Sequence, residues 1–272
     1  MRFLGFLIGF FCMFVFLARA EEQRQNFEGF TLDGYTQNGE KSWDVKGDTA
    51  EIMGNNISLT NVDANSYGKE QVNLKAQSGT LDNSSGSMHL EKDVVITTQT
   101  GSQLKTDELN WQREKDLVTT DKKVTLTREQ LIANALGAIA HPNLQTAQMN
   151  EDVTVKVDTD PKTPGVQQVT ITCDGPLEVD QVKQVAVFNN NVLAIQDDRE
   201  LRADRLEMHF DSATSQIKEM VCIGNVSVKQ GGNITYSERA VYRAGEQRMT
   251  LSGKPKLILQ IQGDQPFAPL GN

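Results

Sequence analysis

Asp93-Val94-Val95-Ile96, Lys123-Val124-Thr125-Leu126, Asp152-Val153-Thr154-Val155, Asn191-Val192-Leu193-Ala194 and Asn225-Val226-Ser227-Val228 are copies of one valine-centred unit. The leading valines stand 30, 29, 39 and 34 residues apart, and Lys256-Leu257-Ile258-Leu259 follows 31 residues after Val226. A repeat of this length with strand chemistry in every copy implies a stacked, extended β structure and not a compact enzyme. Such a stack can carry one continuous apolar surface along its length.

Working outward, period-2 alternation dominates the chain. Ser42-Trp43-Asp44-Val45-Lys46-Gly47, Ile57-Ser58-Leu59-Thr60 and Val72-Asn73-Leu74-Lys75-Ala76 read as half-buried strands. Turn-rich links such as Asp82-Asn83-Ser84-Ser85-Gly86 separate them, and Asp197-Asp198 reads as another turn. Arg128 to Ala140 is rich in alanine, with Leu131, Ala135 and Ile139 at helical spacing, but strand-like neighbours and Pro142 favour another β unit. A second recurring stretch, Leu104-Lys105-Thr106-Asp107-Glu108-Leu109, is matched by Leu201-Arg202-Ala203-Asp204-Arg205-Leu206 and more weakly by Thr235 to Ala240. Its acid is expected to fix a turn or bulge through backbone N–H groups.

Phe3 to Leu17 is an apolar run behind Met1-Arg2 and ahead of Ala18-Arg19-Ala20, the pattern of a signal peptide over residues 1–20. An uncleaved N-terminal anchor is the alternative, and either way the remainder is exported. Without those residues the chain holds 25 basic and 36 acidic side chains, a formal charge of −11. That excess argues against nucleic acid or an anionic membrane surface as the main partner. Asp158 to Gly165, with two prolines and a glycine, separates modules at 28–157 and 166–262, and 263–272 is a polar tail. Cys173 and Cys222 are left between a disulfide and two separate buried thiols.

Catalytic signals are lacking. His89, His141 and His209 are widely spaced, and no Cys-x-x-Cys, Gly-x-Ser-x-Gly or phosphate-binding loop occurs, so no metal, cofactor or catalytic residue is expected.

Trp43-x-Val45-x-Gly47-Asp48-x-Ala50, Ile57-x-Leu59-x-Asn61-Val62 and Ala76-x-x-Gly79 resemble the N-terminal half of an LptC-like domain. Leu104-x-Thr106-x-x-Leu109 with Thr120-Asp121-x-x-Val124 continues the resemblance to about residue 157. From Val169 onward the chain is similar to the LptA (OstA-like) domain, through Phe188-x-x-Asn191-Val192, Leu201-x-Ala203-Asp204-x-Leu206, Gly224-Asn225-Val226 and Leu251-x-Gly253-x-Pro255. Both belong to the lipopolysaccharide-transport bridge proteins of diderm bacteria, so the resemblance is to a fusion of two usually separate parts.

The resemblance implies an all-β, elongated and open twisted β-jellyroll, two stacked modules of antiparallel strands. It implies a non-catalytic periplasmic carrier that holds lipopolysaccharide acyl chains in its groove. Energy would come from an ATPase elsewhere. Partners would be other bridge or translocon components, or further copies end to end, joined by β-edge pairing at Trp43 to Val45 and Lys256 to Ile261. Loss of the leader would remove the anchor usual in LptC-like proteins.

A β groove for acyl chains needs aliphatic side chains at period 2. The inward candidates are Val94, Ile96, Val124, Leu126, Val153, Val155, Val157, Val192, Ala194, Val226, Val228, Leu257 and Leu259, with Phe188 and Phe210. The same residues would fill the sealed core of a structural or adhesive secreted β-solenoid, the competing reading. A polysaccharide-acting enzyme would need convergent carboxylates or histidines that the sequence does not offer.

Overall fold

A computed structural model describes residues 24–67, 71–158, 168–214 and 216–260. The leader and nearly all of the Asp158 to Gly165 link and the C-terminal tail therefore lie outside the described residues.

The fold is one 17-stranded sheet. Its first nine strands are β1 (Arg24–Tyr35), β2 (Lys41–Met53), β3 (Asn56–Tyr67), β4 (Gln71–Asp82), β5 (Ser87–Thr98), β6 (Gln103–Gln112), β7 (Leu117–Arg128), β8 (Leu131–His141) and β9 (Thr146–Asp158). The rest are β10 (Gln168–Cys173), β11 (Leu177–Asp180), β12 (Val185–Gln196), β13 (Arg199–Phe210), β14 (Ile217–Gln230), β15 (Asn233–Arg243), β16 (Arg248–Ser252) and β17 (Lys256–Ile258). Pairing is antiparallel between strands that follow one another in the chain. Two strands are interrupted: β10 and β11 both pair with β9 on one side and β12 on the other, and β16 and β17 both pair with β15. The alanine-rich segment is the strand β8, in keeping with its strand-like neighbours.

The valine repeat is a hairpin repeat. Val94, Val124, Val153, Val192 and Val226 sit on β5, β7, β9, β12 and β14, so each interval is one strand out and one back. The longest interval contains the connection between β9 and β10. The polar residue ahead of the valine has a local cause. Asp93, Asp152, Asn191 and Asn225 have φ of 52°, 52°, 53° and 46°, and Asn61 ahead of Val62 has 49°. Asp and Asn tolerate this left-handed backbone better than other residues carrying a Cβ. Ladder registers slip beside most of these sites, for example between Glu91 and Val94, Asn189 and Val192, and Ile223 and Val226. Bulges of this kind bend a strand and increase its twist. The strands that carry these residues are thus creased near their middle, and Val94, Val153, Val192 and Val226 are driven into the crease at 0–1% exposure. Val124 is as deeply buried, although Lys123 ahead of it lacks the left-handed backbone.

The recurring acid lies at these slips, and in the copy at Asp204 its partner is not the one expected. Asp204 accepts hydrogen bonds from the Asn225 side-chain amide at 2.9 and 3.2 Å and packs over Gly224, where a Cβ would stand 2.2 Å from Oδ2. It fixes the bulge of the neighbouring strand through a side chain and not through backbone N–H groups.

Of the two alternatives left for the cysteines, the structure takes the separate buried thiols. Both are free and buried. Cys173 on β10 and Cys222 on β14 are separated in the sheet by β12 and β13, roughly 14 Å of ladder spacing, whereas a disulfide needs Cα atoms within about 7 Å.

The first three strands are held by a polar network on one face. Asp44, buried at 3% exposure, accepts hydrogen bonds from Asn65 at 2.9 Å and Tyr67 at 2.6 Å and pairs with Lys41 at 2.9 Å. Lys41 also bridges to Asp33 at 2.7 Å, so two acids facing each other across β1 and β2 share one cation. Hydrogen bonds from Asn65 and Tyr67, and then Lys41, hold the Asp44 carboxyl well below the usual carboxylate range. A depressed folded-state pKa gives stability that is present above the unfolded value, about 4, and is lost as pH falls toward the folded one. Thermal melts from neutral pH to about pH 3 are therefore expected to fall less steeply for Asp44→Asn than for the wild type, with the variant the less stable near pH 7. Equal slopes would remove Asp44 from the acid response.

Candidate lipid groove

The crease is floored by side chains no solvent reaches, among them Leu90, Val94, Val124, Val153, Val192 and Val226. Following the ladder pairs outward from it, the inward residues line up across every strand.

On one side of the crease the pairs run Leu32, Val45, Ala64, Leu74, Ile96, Leu104 and Leu126, each facing the next on the neighbouring strand. They continue through Ala133, Val155, Ile171, Ala194, Leu201, Val228, Thr235 and Leu257. Fifteen residues form this row, and Thr235 alone is polar. At about 4.8 Å per strand the row traces roughly 65 Å along the sheet.

On the other side a matching row begins after Gln25 with Ile52, Ile57, Leu81, Met88, Trp111, Val118 and Ala140. It passes through Ala147, Val179, Ala186, Met208, Met220, Tyr242 and Met249. Most residues of both rows are half-buried: covered at their base and open above. The two rows are the walls of a trough whose floor is the crease.

The face behind the first wall is polar. Thr31, Lys46, Asp63, Lys75, Val95 and Lys105 succeed one another there, and Lys75 and Asp63 form a 3.3 Å ion pair. One apolar face and one solvated face is the pattern an antiparallel sheet of this kind adopts.

The trough does not stop between the two modules expected from the sequence. β9 pairs with β10 from Asp158 to Val153 against Gln168 to Cys173, and one buried cluster runs from Val124 through Val153, Ile171 and Phe188 to Ala240. On the opposite face of this seam a cleft of about 370 Å3 is lined in part by Ile139, Gln148, Glu178 and Val187, which pair in register on the side away from the trough.

The candidate lining residues divide into three groups. Val94, Val124, Val153, Val192, Val226 and Phe188 are sealed in the floor, and Val155 is also buried. Ile96, Leu126, Val157, Ala194, Val228 and Phe210 stand half-buried, packed against the core and open to the trough. Leu257 and Leu259 are 58% and 51% exposed, because the last strand has no neighbour beyond it among the described residues. Sequence pattern misses the second wall. On the valine strands its residues, such as Met88 and Ala186, lie across the bulge in the same alternation as the valine, whereas on returning strands such as β4 and β6 the register slip shifts the alternation before Leu81 and Trp111.

The motifs of the resemblance have physical meanings. Val45 stands in the first wall, and Gly47 leaves room for Phe30, whose ring a Cβ there would meet at 2.6 Å. Likewise Gly34 lies beneath the Trp43 ring, an aromatic-over-glycine arrangement across β1 and β2. The expected N-terminal docking edge is corrected: Trp43 to Val45 lie on β2, paired on both sides, and the edge is β1, which begins at Arg24.

Among the described residues no three His, Cys, Asp or Glu side chains converge on a metal-sized site, and no helix is long and apolar enough to cross a membrane.

An open, creased β sheet with a two-walled apolar trough defines a β-jellyroll groove protein. Comparison with known families makes this specific. The model described as lipopolysaccharide-assembly, LptC-related matches residues 20–158, and that described as LptA/(LptD N-terminal domain) LPS transport protein matches residues 170–267. The chain belongs to the LptC-related lipopolysaccharide-assembly family and carries an LptA-like region in tandem. Among solved structures it is similar to LptH, the LptA homologous periplasmic component of the lipopolysaccharide transport device from Pseudomonas aeruginosa. Identity there is 12%, over 70% of this chain and 95% of that one, with a TM-score of 0.24. No curated protein matches the sequence.

Proposed function

We propose that this chain is a non-catalytic periplasmic carrier that holds lipopolysaccharide by its acyl chains in one trough shared by its LptC-like and LptA-like regions. The observation that carries this reading is the pair of apolar rows that pass from β9 onto β10 and β11 without a break. Each buried methylene contributes about 0.8 kcal/mol, so a chain laid on a wall needs no headgroup contact to be held. Similar aliphatic surface on strand after strand makes neighbouring positions nearly equal in energy, which suits passage under a push supplied elsewhere. The edges at β1 and at β16 with β17, unpaired on one side among the described residues, would take further bridge components, or other copies, by strand pairing. Half-buried walls favour this reading over the sealed solenoid, whose inward residues would be closed off.

A photoreactive residue at Ile96 and, separately, at Val228 tests it in cells. Lipopolysaccharide adducts are expected at both. Adducts at neither position in a folded protein would favour the sealed reading, and adducts at one alone would break the shared trough.

A further inference from the structure

β15 differs from every other strand of the trough. Its inward residues are Thr235, Ser237, Ala240 and Tyr242, facing Val228, Val226, Cys222 and Met220 of β14. Three of the four carry hydroxyls, whereas the inward residues of β13 are Leu201, Ala203, Leu206 and Met208. Elsewhere in the floor the hydroxyls of Thr106 and Thr120 satisfy each other at 3.1 Å. Ser237 has no such arrangement. It is 8% exposed, and its Oγ is buried without a hydrogen-bond partner among the described residues. It also lies opposite the break between β16 and β17, since Arg239 pairs with Ser252 and Tyr236 with Lys256.

A buried hydroxyl without a partner forfeits its hydration and gains nothing in return, so an apolar residue would serve a purely structural floor better. We propose that Ser237 Oγ, flanked by Thr235 on the wall, is a hydrogen-bonding site for an oxygen carried by the acyl chain, a hydroxyl or an acyl carbonyl, at the C-terminal mouth of the trough. This rests on the trough reading and adds a position where an oxygen-bearing chain is held in preference to a plain hydrocarbon one. The site lies one strand from the free edge, where a lipid would pause before leaving.

Binding of a saturated medium-chain fatty acid and its 3-hydroxy analogue to the full chain, wild type and Ser237→Ala, tests the assignment. The wild type is expected to bind the hydroxylated probe about tenfold tighter, one hydrogen bond's worth. Ser237→Ala is expected to bind both probes alike. The ligand-free variant is expected to melt no lower than the wild type, because no internal hydrogen bond is lost. Equal binding of the two probes by the wild type, a preference that survives in Ser237→Ala, or a lower melting temperature of the variant would each overturn the site and leave the trough standing. Binding of neither probe would overturn both.

Discussion

Leu126→Asp is expected to abolish lipid capture on the first wall while leaving the protein folded. Leu126 is half-buried and faces Leu104 and Ala133 in the row. In the free protein a carboxylate there keeps its water. Against an acyl chain it loses that water and gains no partner, which costs several kcal/mol. The expected loss of affinity is about two orders of magnitude or more. Leu126→Met keeps volume and apolarity and should stay within about tenfold of the wild type. Fatty-acid binding, with circular dichroism to confirm the fold, reads the effect. Undiminished binding by a folded Leu126→Asp protein would show that the row is not the contact surface.

Phe188→Ala is expected to give the largest loss of stability. Phe188 is 3% exposed on β12, between Leu177 and Leu206 in the cross-strand pairs, within the cluster joining β7 to β15. Truncating a buried phenylalanine costs about 3–5 kcal/mol. For a sheet of this size that lowers the melting temperature by roughly 10 °C. The cluster crosses the seam, so the LptC-like strands β7 to β9 should lose protection together with the LptA-like strands. Hydrogen exchange on the variant separates the cases. Weakened amides only beyond residue 168 would mean that the two regions are independent units.

The groove is partly legible in the amino-acid sequence. Asp93-Val94, Asp152-Val153, Asn191-Val192 and Asn225-Val226 mark the creases, because a left-handed residue ahead of a buried β-branched one leaves a compositional trace. Ile96, Leu126, Ala194 and Val228, two residues beyond the valines, read as inward and stand in the first wall. The second wall is illegible. Leu81 and Trp111 stand beyond a register slip from Leu74 and Leu104, so alternation carried across it puts them outside, and Met88 joins the wall only through its pairing with them. β1 is hidden for another reason. Arg24 to Asn26 are polar and exposed, and pairing with β2, not sequence pattern, makes them a strand.

What the sequence determined by itself was local: alternation, the hairpin period, the bulge residues and the absence of catalytic motifs, all set within a few residues by backbone preference and hydrophobic pattern. The remaining features are non-local and came from the packed sheet. The register of each ladder aligned two apolar rows across the seam, kept Cys173 and Cys222 three strands apart, and left Ser237 Oγ buried without a partner among the described residues. Register depends on pairing between distant residues and on the summed slips of many bulges, and no single stretch of chain contains that sum.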